Sequence, residues 1–187
     1  MARGRVAHAI TFVDDVTSTG TATQNCPLGT LRMEEDTLAI GVACYRYIKH
    51  AKGTNSVATA AGMIAMRGNT ISAPWIVTGD IGTGKSGLSV GVYQSVMTDV
   101  QYGWIKTKGY QSNLSKQSGT GMSWAKGQYL FTDASTTANG KARVIKLGAT
   151  TKVSGAEIRG ILQRNVGFAM TAVSTTTATG KAYIDLE

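Results

Sequence analysis

Tyr102-Gly103-Trp104-Ile105-Lys106-Thr107-Lys108-Gly109-Tyr110 lies near the middle of a 187-residue chain and decides how the rest is read. Its side chains sort with a period of two: Tyr102, Trp104, Lys106 and Lys108 fall on one side, Gly103, Ile105 and Thr107 on the other. Such alternation belongs to a β-strand, whose successive side chains point to opposite faces. The aromatic and β-branched residues suit a pleated, half-buried surface, and the two glycines mark a start and a stop. Nothing in the stretch is catalytic.

Working outward, Val90 to Met97 is a second strand-like run, joined to the first by Thr98-Asp99-Val100-Gln101, a link of hairpin length that predicts antiparallel pairing. Upstream, between Thr37 and Lys49, Val42, Cys44, Arg46 and Ile48 alternate with Ala43, Tyr45, Tyr47 and Lys49. Both sets carry bulk, so this strand is expected to be covered on both faces. Ala58 to Met66 reads as strand and turn interrupted by Gly62, while Pro74 demotes Thr70 to Thr78 to an edge strand or a loop. Downstream, Ser112 to Lys126 reads as loop, and Gly127 to Phe131, Lys141 to Leu147, Val166 to Val173 and Ala182 to Leu186 as strands. Ser154-Gly155-Ala156-Glu157 has the form of a capping box, with Ile158, Ile161 and Leu162 behind it, and predicts one or two helical turns at most. Residues 1–25 are polar, small and weakly patterned and read as an extended N-terminal arm; residues 26–187 read as one β-rich domain. The expected fold is all-β, a single-domain antiparallel β-barrel or β-sandwich with very little helix.

Composition agrees. A 42% hydrophobic content is enough for a core, while 23 glycines against 2 prolines and a charged fraction of 16% fit a turn-rich β protein packed against neighbours. The net charge of +8 draws an acidic partner. Its basic residues are dispersed, apart from Arg3 and Arg5 and the pair Lys106 and Lys108. A nucleic-acid module concentrates such residues among stacking aromatics, so direct DNA contact is not expected. Cys26 and Cys44 are too few for a disulfide framework and lack metal-ligand spacing. The first residues have no apolar leader core, and no apolar stretch is long enough for a membrane span, so assembly in the cytoplasm is expected.

One motif suggests chemistry. Gly79-Asp80-Ile81-Gly82-Thr83-Gly84-Lys85-Ser86 matches the phosphate-cradling loop letter for letter. That loop must open a helix, whose amino end faces the phosphate. The next residues are Gly87-Leu88-Ser89-Val90-Gly91-Val92-Tyr93, with Leu88, Val90 and Val92 at strand spacing. A helix there would hold interior glycines at about 1 kcal/mol each. The chain also lacks the alternating strands and helices of a parallel α/β sheet. Residues 79–87 therefore read as a hairpin or surface loop, with a nucleotide-binding enzyme as the least favoured alternative. His8 and His50 sit in the arm and at a strand end, so neither is expected to serve as the general base that a serine or cysteine nucleophile needs, and Glu34, Glu35 and Asp36 read as a solvated turn. No catalytic, cofactor-binding or metal-binding residue is assigned.

Six segments, in order, carry a resemblance: Leu28-Gly29-Thr30, Tyr45-Arg46-Tyr47-Ile48-Lys49, Ala60-Ala61-Gly62-Met63, Tyr102 to Gly109, Gly127-Gln128-Tyr129-Leu130 and Val166-Gly167-Phe168-Ala169-Met170. Across residues 28–187 the chain resembles the head decoration, or cement, proteins of tailed bacteriophages. The resemblance implies a non-enzymatic virion protein without cofactors, assembled in the host cytoplasm, that binds the capsid's outer surface and bridges major capsid protein subunits, often as a homotrimer. A tail-tube or neck component is the alternative. The long arm and the loop at 79–87 depart from the family pattern. Structural or interface candidates are Arg3, Arg5, Tyr45, Tyr47, Tyr102, Trp104, Lys106 and Lys108.

Overall fold

The computed structural model describes residues 15–35, 41–53, 59–67, 75–80, 88–117, 123–132, 140–144 and 165–186. They form ten strands: β1 (Leu31–Glu35), β2 (Val42–His50), β3 (Ile64–Arg67), β4 (Ile76–Thr78), β5 (Ser89–Tyr93), β6 (Tyr102–Ser115), β7 (Tyr129–Thr132), β8 (Ala142–Arg143), β9 (Asn165–Ala169) and β10 (Thr179–Asp185). No helix occurs among the described residues. The capping-box segment at 154–162 lies outside them. The fold is all-β.

β6 is the axis. It runs 14 residues, through Gly109 and on to Ser115, which corrects both the stop expected at Gly109 and the loop expected from Ser112. Gly109 has φ 111°, a conformation that favours glycine, and it pairs with Ile184 of β10. It marks an irregular point inside a long strand, as interior strand glycines commonly do. Gly103 is likewise inside the strand, where a Cβ would stand 2.3 Å from Cε of Met97.

The amino-terminal half of β6 is flanked by β2 on one side, with Tyr47 opposite Trp104, and by β5 on the other, with Tyr93 opposite Ile105. The sheet order is β1-β2-β4-β3-β5-β6-β10-β9-β7-β8, and the added β2–β6 pairing closes β2, β4, β3, β5 and β6 into a ring. The carboxyl-terminal half of β6 carries β10, which leads on through β9 and β7 to β8. The predicted β5–β6 antiparallel pair is present. One pairing, β2 with β4, is parallel, so the sheet is mixed where an all-antiparallel one was expected. β4 also lies between β2 and β3, which corrects its assignment to an edge. The strand begins at Ile76, and Pro74 itself lies outside the described residues.

Three apolar clusters follow from this topology. Ile48, Ala65, Val77, Tyr93, Met97 and Ile105 come from all five ring strands and the loop after β5, and fill the ring. Ala43, Tyr45, Tyr47 and Trp104 form a second cluster on the opposite face of β2 and β6, where Val16 packs on them with Cys26 and Leu28 alongside. The third joins Ile64, Met66 and Val92 to Leu114, Leu130, Val166, Ala182 and Ile184 of the outer strands. Val92 and Val90 belong to different clusters, because the β3–β5 register slips between Ala65 and Met66, which pair with Gly91 and Ser89 and leave Val90 as the extra residue.

Of the segment read as an arm, residues 15–25 are described and lie on the body of the same chain. Thr21 exchanges backbone hydrogen bonds with Tyr102 at 2.8 and 2.9 Å, and the Asn25 N–H donates to the Tyr47 hydroxyl at 3.1 Å. Residues 1–14 lie outside the described residues.

Candidate interaction surface

Four of the eight candidate residues converge. Tyr47 meets Trp104 edge to face with centroids 5.1 Å apart and stacks with Tyr102 at 6.3 Å, and Tyr45 lies one register step along β2. Edge-to-face and offset geometries are those aromatic quadrupoles favour. Tyr45, Tyr47 and Trp104 are buried inside the chain, Tyr102 only partly, with Lys49 Nζ 5.5 Å from its ring centre.

Lys106 is also buried, only 8% exposed. Its ammonium donates to the Tyr110 carbonyl at 2.6 Å and lies 5.4 Å from the centre of the Tyr45 ring, so a carbonyl and a π face compensate its burial. Lys108 leaves the alternation that Lys106 obeys. Tyr45 pairs with Lys106 but Cys44 pairs with Lys108, so Thr107 is the extra residue of a bulge, with its hydroxyl donating to the Cys44 carbonyl at 3.3 Å. Lys108 stands between Cys44 on β2 and Asp185 on β10. Arg3 and Arg5 lie outside the described residues.

The exposed surface offers something that alternation alone does not reveal. In β1 the usual amphipathic pattern is inverted: Leu31 and Met33 are exposed, while Arg32 and Glu34 turn inward and are half-buried. The inward pair is held together by a salt bridge, and the Arg32 guanidinium lies 5.8 Å from the centre of the Trp104 ring. Glu34 and Glu35, expected in a turn, are strand residues. Leu31 sits opposite Arg46 and Met33 opposite Cys44, on the same face as Val42, which is itself exposed. Arg46 leads into a groove of about 410 Å³ at one mouth of the ring, lined by Arg67, Trp75, Leu88, Thr107 and Leu186 as well. The Arg46 guanidinium lies 5.0 Å from the centre of the Trp75 ring and donates to the Gly29 carbonyl at 3.1 Å.

A second outward feature is an aromatic row. Tyr110, Tyr183, Phe168 and Tyr129 are successive register partners on β6, β10, β9 and β7. Phe168 and Tyr183 stack at 5.4 Å, and Tyr129 is the most exposed at 64%. No signal within the sequence aligns these four, because register between strands so distant in sequence is set by tertiary pairing.

Among the described residues, a polar side-chain pair is buried with the ring cluster. His50 Nδ1 and the Tyr93 hydroxyl are 2.9 Å apart, both fully buried, and burial pushes the Tyr93 phenol well above its usual 10.0. Among the described residues, no group of three or more His, Cys, Asp and Glu is placed to hold a metal ion. Of the phosphate-loop motif, Gly79 and Asp80 are described and residues 81–87 are not; the chain beyond them forms the strand β5, where that motif's chemistry requires a helix. Scans against family models, curated proteins and solved structures find no match to this chain.

Proposed function

We propose that the chain is a structural virion protein that decorates a bacteriophage capsid, binding its outer surface and bridging major capsid protein subunits, as a homo-oligomer with a trimer favoured. The observation that carries this is the inverted strand β1. Leu31, Met33 and Val42 face outward while Arg32 and Glu34 are spent inward. An isolated fold gains nothing from that arrangement, since burying Leu31 and Met33 in place of the charged pair would be worth on the order of 1.5–3 kcal/mol per side chain. A partner that covers the strip recovers this free energy, and exposed apolar patches mark such contacts. The net charge of +8 favours an acidic partner surface. A protein that binds only the assembled shell stabilises it by linkage, and many symmetry-related copies add up.

The test uses particles stripped of the protein and then given it back. Parent protein should bind and restore resistance to heat, whereas Leu31→Asp combined with Met33→Asp should fold normally and fail to bind. Binding of the double variant at parent affinity would refute the surface assignment, and localisation to the tail tube or neck would move the protein to a different part of the virion.

A further inference from the structure

The groove at the ring's mouth combines two kinds of lining that seldom share one cavity without a reason. Arg46 and Arg67 bring two guanidinium groups, while Trp75, Leu88 and Leu186 supply apolar walls. None of the described side chains lining it is acidic. The Arg46 guanidinium is held in place, lying over the Trp75 ring and tied to the Gly29 carbonyl. The bond to Gly29 uses one of its five N–H donors. A planar, pre-oriented fork of donors matches a carboxylate, and loses less entropy on binding than a flexible lysine would. Arg67 is anchored through its backbone, whose N–H donates to the Leu88 carbonyl at 2.9 Å, on the strand pair that forms the groove's far wall.

The geometry points to this groove as a receptor for an extended acidic segment of a partner protein: a carboxylate held by the Arg46 fork, and a neighbouring aliphatic or aromatic side chain against Trp75 and Leu88. This rests on the partner-binding role proposed above and adds the chemistry of the segment recognised. Two observations favour a peptide over a bare anion. Four of the lining side chains, Trp75, Leu88, Val90 and Leu186, are apolar, and an inorganic phosphate would leave them wet. Leu31 lies directly opposite Arg46 across the β1–β2 pair, so the exposed strip runs into the groove, and an extended chain can lie along both.

Trp75 is a built-in reporter, because the other two tryptophans, Trp104 and Trp124, are buried elsewhere. An end-blocked peptide of alternating leucine and aspartate should produce a saturable change in tryptophan fluorescence, lost in Trp75→Phe. The same peptide with asparagine for aspartate should bind at least about tenfold more weakly, a difference of ~1.4 kcal/mol. Arg46→Lys, which keeps the charge but not the planar fork of donors, and Leu88→Ser should each weaken the aspartate peptide by a similar factor while keeping the parent's near-ultraviolet circular dichroism. Absence of saturable binding to the parent, equal binding of the asparagine peptide, parent affinity in both variants, or displacement by inorganic phosphate as effective as by peptide would each overturn the assignment. If both variants still attach to particles as the parent does, the groove assignment falls and the capsid role stands. If the peptide binds as expected but the protein fails to attach to particles, the capsid role falls and the groove stands.

Discussion

Trp104 shows how one side chain ties sequence to fold. It lies on β6, contacts Tyr47 of β2 edge to face, carries Arg32 of β1 above its ring, and shares a cluster with Val16 from the amino-terminal segment. Trp104→Ala should therefore cost about 3–5 kcal/mol, a typical value for emptying a buried aromatic site. Urea denaturation checks this, and a loss below about 1 kcal/mol would show that the site collapses around the deletion. Tyr93 makes a second prediction at this scale. Its phenol is held neutral in the fold well above the usual 10.0, so the folded state keeps a proton that the unfolded chain releases. That contribution to stability is complete below pH 10 and declines as pH rises from there toward the folded value. Lys116 acts in the opposite sense: burial lowers its pKa below 10.5, so its contribution grows as pH rises toward that value. Comparing Tyr93→Phe with the parent cancels the lysine term. The variant should be less stable at neutral pH through loss of the bond to His50, and the gap should narrow above about pH 10 in denaturant titrations.

At the scale of elements, the central strand is legible in part. The alternation around Trp104 correctly gives a strand, though it reads as half-buried where the fold covers both faces, and the bulk on both faces of Val42 to Lys49 gives its neighbour. The parity of Lys108 is not legible, because the bulge at Thr107 exists only in the pairing with β2. Gly109 reads locally as a stop, yet β10 pairs straight across it, a contact more than seventy residues away that no local window contains. The inverted pattern of β1 is hidden for a related reason: Glu34 and Glu35 look like turn residues until β2 is placed beside them. The edge position expected for the run from Thr70 to Thr78 is likewise overturned by pairing, since β4 takes β2 on one side and β3 on the other. Gly62 tests the element packing directly. Its φ is 88° and an added Cβ would lie 1.9 Å from the Asn113 carbonyl oxygen of β6. Gly62→Ala should therefore destabilise by more than about 1 kcal/mol, read as a lowered thermal midpoint, where the same change at a relaxed glycine would stabilise.

For the whole molecule, closure of β2, β4, β3, β5 and β6 into a ring makes β6 a member of two structures at once, the ring and the outer sheet. The all-β class is legible from turn signals and strand spacing, but ring closure and the parallel β2–β4 pairing are not, since both depend on contacts far apart in sequence. The candidate site shows the same division. Tyr45, Tyr47, Tyr102 and Trp104 stand out by their alternation and are brought together, but chiefly as the chain's own packing. The outward strip of Leu31, Met33 and Val42, and the groove beside it, depend on which face of the sheet remains uncovered. The most direct measurement of the proposed role is the position of this protein in intact virus particles, imaged by electron cryomicroscopy. A decoration role predicts density on the outer capsid surface at symmetry-related positions spanning neighbouring capsid subunits, with β1 facing the shell; density in the tail tube or neck, or none on the particle, would contradict it.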